Sequence, residues 1–106
     1  MLYTFMMGYR GGTYISQLYS RSVELGLKAW ATNLDVSAVA GMGPRGKERL
    51  IADINWDLSN GIRPTPLDGL VNAWCTSARI RGSFALINIV GTIVPNRTPR
   101  NSKPKP

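Results

Sequence analysis

Hydrophobic and polar residues change their period several times along this chain, and each change marks an element. Leu2 to Tyr9 and Thr13 to Tyr19 are rich in aromatic and β-branched residues. Arg10-Gly11-Gly12 between them has the length and composition of a hairpin turn. From Ser22 the period lengthens: Val23, Leu27, Trp30 and Leu34 recur at i, i+4, i+7 and i+11, on one face of a helix. Ser20 or Ser22 supplies its cap, because a side-chain oxygen there accepts from free amides of the first turn. Residues 35–46 are small and glycine-rich. A second helix follows from about Lys47 to Leu58, with Leu50, Ile51, Ile54 and Leu58 inward. Pro44 suits an early helical position, where its missing amide costs nothing. Ser59 to Gly69, with Pro64 and Pro66, reads as a connection. Val71 to Ala78, a turn at Arg81-Gly82-Ser83, and the long strand Phe84 to Val94 form a second hairpin.

The order ββααββ predicts an α+β fold, a four-stranded antiparallel sheet made of two hairpins with two helices on one face. In the last strand Ala85, Ile87, Ile89 and Ile93 line one side, and Phe84, Leu86 and Val90 the other. A strand apolar on both sides is either central and covered twice or part of an oligomer interface, which leaves room for a homodimer. Residues 1–94 read as one domain and residues 95–106 as a disordered, basic, proline-rich tail.

Composition sharpens this picture. With 106 residues and 43% hydrophobic side chains the chain has enough apolar surface for one packed core. The net charge of +7 is uneven: the tail carries Arg97, Arg100, Lys103 and Lys105 and no acid. A basic body with a basic tail suggests acidic partners. The one cysteine, Cys75, excludes an intramolecular disulfide and reads as a small buried hydrophobe. The longest apolar stretch, Phe84 to Val94, is too short for a membrane span and is interrupted by Asn88. Met1 to Tyr9 lacks the basic start of a signal peptide. The expected location is therefore cytoplasmic, with no membrane partner.

Much chemistry is excluded. The chain has no histidine, so the usual metal ligand and the usual general base near neutral pH are missing. Cys–His and Ser–His nucleophiles are ruled out, and a structural zinc site would need carboxylates alone. Asp53 and Asp57 stand four apart on one helix face. They fit a solvated face better than a catalytic pair, with Arg49 four residues before Asp53 as its ion partner. No catalytic residue, metal or cofactor is expected, and the chain does not read as an enzyme.

One segment carries a motif. Gly41, Gly43 and Gly46 satisfy G-x-G-x-x-G, yet no βαβ unit surrounds them and no acidic residue lies about twenty positions on, so dinucleotide binding fails. The same stretch, residues 36–51, resembles the helix-hairpin-helix motif of DNA-binding proteins. Val36 and Val39 match its apolar pair, and Gly41-Met42-Gly43 its hairpin. Pro44-Arg45 matches the start of its second helix, and Leu50 the first buried position. It departs at Lys47, where the family carries a small residue. The resemblance implies that Gly41 and Gly43 let backbone amides approach a phosphate while Arg45, Lys47 and Arg49 add charge. Arg97, Arg100, Lys103 and Lys105 would then act as an electrostatic arm.

Tyr3, Tyr9, Tyr14 and Tyr19 gather on the first hairpin, where aromatics could stack unpaired bases or anchor a protein interface. Two roles survive. The charge balance favours a nucleic-acid-binding module gripping the phosphate backbone. The alternative is a protein-interaction module, of the antitoxin, immunity-protein or phage-type inhibitor kind, working through a sheet face or as a homodimer. Cations gathered on one surface would favour the first, and scattered charge beside an apolar sheet patch the second.

Overall fold

The computed structural model describes residues 1–95, so the tail cations Arg97, Arg100, Lys103 and Lys105 lie outside the described residues. The elements are β1 (Leu2–Tyr9), β2 (Gly12–Tyr19), α1 (Val23–Thr32), a 3-10 turn at Val36–Ala38, α2 (Gly43–Ser59), β3 (Thr65–Pro66), β4 (Ala73–Ile80) and β5 (Ser83–Thr92). They form an antiparallel sheet in the order β2-β1-β5-β4-β3.

Among the described residues the sheet has five strands, not the four expected. Thr65 pairs with Cys75 and Pro66 with Trp74, turning part of the proline-rich connection into an edge strand. A proline has no amide to give to a ladder, so it is tolerated at a sheet edge and seldom elsewhere.

Both hairpins close through two-residue turns. Arg10 and Gly11 have φ of 49° and 84°, and Arg81 and Gly82 of 51° and 88°. Positive φ at both positions is the type I′ geometry whose twist matches that of the flanking strands. Each turn is thus one residue shorter than its composition suggested: β2 begins at Gly12, β5 at Ser83, and β4 runs from Ala73 to Ile80.

α1 is capped by Ser22, whose hydroxyl accepts from the Leu25 amide at 3.1 Å. It buries Val23, Leu27 and Trp30 as their spacing predicts, and ends before Leu34. Both helices cover one side of the sheet, α1 over the first hairpin and α2 over β4. Beneath them lie Phe5 and Met7 of β1, Ile87 and Ile89 of β5, and Ile80 of β4, all wholly buried. Phe5 stacks on Trp30 at 5.4 Å, and the Trp30 indole N–H donates to the Ser16 hydroxyl at 3.0 Å.

Among the described residues nothing covers the opposite side of the sheet. β5 is central yet covered once, and Phe84, Leu86 and Val90 stand exposed on its open side. Ile93, expected on the same side of the strand as Ala85, Ile87 and Ile89, lies past the strand and is exposed, while those three are buried. Cys75 is half-buried on the open side, not enclosed. Among the described residues no helix is long and apolar enough to cross a membrane.

Candidate functional site

α2 begins where the chain turns on glycine. Gly41 and Gly43 have φ of 81° and 65°, a region glycine enters without penalty. Met42 between them is buried and Pro44 occupies the first turn. The helix starts four residues earlier than Lys47 because this corner already places its backbone. No side chain caps α2 and no acid lies in its first turn, so its positive dipole end is uncompensated. Gly46 is buried: a Cβ there would lie 2.7 Å from Met42 Cγ and 3.4 Å from Ile80 Cγ2, so its absence permits this close approach. Val39 and Leu50 are buried, while Val36 and Lys47 are half-buried.

Around this corner cations converge from separate parts of the chain. Antiparallel pairing of Tyr9 with Ala85 and of Ile80 with Ser83 puts both Arg-Gly turns at the same end of the sheet. The Arg10 guanidinium donates to the Gly41 carbonyl at 3.4 Å, tying the first turn to the glycine corner. Arg45 and Arg49 of α2 share one shallow depression with Arg81 of the second turn, Glu48 and Ala52. Arg79 lies over the Phe84 ring at 4.8 Å, a cation–π contact on the open side of the sheet. Lys47 completes the group on the other flank, near Asp35. The Asp35 carboxyl is held below its ordinary range, first by the Ser37 hydroxyl at 2.6 Å, then by the Ser37 amide at 3.0 Å, with Lys47 adding a smaller pull.

The charge at this end is not neutralised. Six of the nine cations in residues 1–95 are here: Arg10, Arg45, Lys47, Arg49, Arg79 and Arg81. Three carboxylates accompany them: Asp35, Glu48 and Asp53. Asp53 is engaged twice, by Arg49 at 3.7 Å and by the Arg79 amide at 2.8 Å. Away from it stand Arg21, Lys28, Arg63 and the Met1 amine with Glu24 and Asp68, Glu24 and Arg63 lying 4.0 Å apart, while Asp57 lies beside Asp53. The densest group of cations on the described body therefore sits at one end.

No known family model matches the chain, and neither does a curated protein or a solved structure.

Sequence reasoning singled out Arg45, Lys47 and Arg49 and missed Arg10, Arg79 and Arg81. A signal was present in the two Arg-Gly turns. Arginine at the first position of a type I′ turn holds a strained φ where Asn, Asp or Gly is usual. The tyrosine platform is not formed. Tyr3 and Tyr9 are buried, Tyr14 is half-buried with its hydroxyl accepting from the Ala40 amide at 3.1 Å, and Tyr19 alone stands exposed on the open side. Asp53 and Asp57 do lie side by side, and the Asp57 carboxyl is pushed up, mainly by burial and then by Asp53. Among the described residues no group of three or more acidic or cysteine side chains is placed to hold a metal.

Proposed function

We propose that the protein is a non-catalytic binding module that grips the phosphate backbone of nucleic acid with the arginine-rich end of its sheet and the start of α2. One observation carries this reading: six cations from four chain segments gather at one end against three carboxylates. Phosphate contact is the sequence-independent part of nucleic-acid affinity, and it needs clustered, solvent-facing Lys and Arg. Arg10 and Arg81 support the reading further, since both occupy a backbone conformation that disfavours them, and such strain tends to collect at functional positions.

The test is anisotropy of labelled duplex DNA, single-stranded DNA and RNA, with full-length protein and a 1–94 truncation, at about 50 and 200 mM salt. Salt-sensitive binding should persist in the truncation. Arg45→Glu combined with Arg81→Glu should weaken it at least tenfold, and Arg81→Ala alone should lower the salt slope by about 1. Binding that vanishes with the tail would move the site off the folded body, and no binding at either salt would end the reading. A second reading, a protein partner seated on the uncovered side of the sheet, is favoured by the exposed Phe84, Leu86 and Val90.

A further inference from the structure

The two edges of the sheet are built differently. One is β3, two residues long, including Pro66 and preceded by Pro64. Past it runs the outer side of β4 from Thr76 to Ile80, where the Arg79 amide is already taken by Asp53 of α2. The other is β2, eight residues, GTYISQLY, without a charge or a proline. Its register against β1 runs unbroken from Leu2–Tyr19 to Tyr9–Gly12, so there is no bulge. Exposed edges are ordinarily blunted by charge, proline, a bulge or a cover, because unpaired backbone is a template for another strand.

The free groups can be named. Ser20 donates to the Met1 carbonyl at 3.1 Å and the Met1 amine donates back to Ser20 at 3.2 Å, which sets the alternation of the ladder. Gly12, Tyr14, Ser16 and Leu18 then exchange bonds with β1, and the N–H and C=O groups of Thr13, Ile15, Gln17 and Tyr19 point away from the sheet. Among the described residues no other backbone group bonds to these four. Two of their side chains are large and apolar: Ile15 is 65% exposed and Tyr19 69%.

We infer that β2 is the seam of a homodimer, in which two copies join their sheets edge to edge about a two-fold axis through Ser16. A two-fold sets a strand against itself, so any charge on it would sit near the same charge on the other copy. β2 carries none, while the basic end would repel its own copy. Pairing about Ser16 sets Ile15 against Gln17 and Thr13 against Tyr19 of the second copy. Every outward N–H and C=O is then used, in eight hydrogen bonds, and the helix-covered sides of both sheets stay on the same side. On that side Tyr14 of one copy meets Leu18 of the other. A groove of about 560 Å³ runs beside β2 there, walled by Trp30, Leu34 and Val39, and the two grooves open toward each other across the seam.

The test uses the full chain. Sedimentation velocity from about 1 µM to several hundred micromolar should show a dimer, in the ordinary range of protein affinities. Hydrogen exchange followed by NMR should show the Ile15 and Gln17 amides slowing as concentration rises, with Ser16 protected throughout. The variant carrying Ile15→Lys and Gln17→Lys should sediment as a monomer with an unchanged circular dichroism spectrum. Mixing it with the Ile15→Glu, Gln17→Glu variant should restore a dimer. A chain that stays monomeric at every concentration overturns the inference. So does a dimer whose Ile15 and Gln17 amides still exchange freely, since it must be joined by another surface.

Discussion

At the scale of single residues the informative positions are those where local preference is overruled. Arg10 and Arg81 sit at positive φ at the first position of a type I′ turn, where Asn relieves the strain. Each is also one of the clustered cations. Arg81→Asn should therefore raise stability by several tenths to about 1 kcal/mol while weakening nucleic-acid binding. Paired urea melts and anisotropy titrations check both signs. A gain in stability with unchanged affinity would mean that this arginine is only a poor turn residue.

Among the elements α2 is the least settled. Its start lacks a capping side chain, and Asp57 lies in its last turn, where the helix dipole disfavours negative charge. Burial and Asp53 push the Asp57 carboxyl up. A carboxyl raised in the folded state destabilises once ionised, and this cost is relieved as pH falls through its raised range toward the unfolded value. Asp57→Asn should thus stabilise the protein by roughly 0.3–1 kcal/mol at neutral pH, and the advantage should shrink toward pH about 4. Thermal melts of both proteins across that range decide it. An advantage that does not change with pH would show that ionisation of Asp57 is not its source.

For the whole molecule, stability rests on the layer between the sheet and its two helices. Ile87 lies at its middle, opposite Met7 of β1 and Thr76 of β4, and is wholly buried. Ile87→Ala should cost about 2–5 kcal/mol, a large part of the roughly 5–15 kcal/mol typical of a domain. Urea unfolding should show a lower midpoint with an unchanged slope. Antiparallel joining at β2 would also set the two basic ends at opposite ends of the strands of the joined sheet. Each would then meet nucleic acid independently.

Much of the architecture was legible because it depends on neighbours in sequence. The bounds of β1, the Ser22 cap, the inward face of α1 and both hairpins follow from side-chain period, turn residues and capping groups. The pair Arg49–Asp53 follows from helical spacing alone. What escaped depends on contacts made across the chain. β3 exists because Thr65 and Pro66 lie against β4. α2 begins early because Met42 is buried and Gly46 lets the helix approach Ile80. The apolar positions on both sides of β5 could not say which side the helices would cover. Nor could sequence show that the excess charge is gathered, because Arg10, Arg45 and Arg81 are far apart along the chain. Periodicity determined the elements; antiparallel pairing, by folding both turns back to one end, decided where the arginines meet.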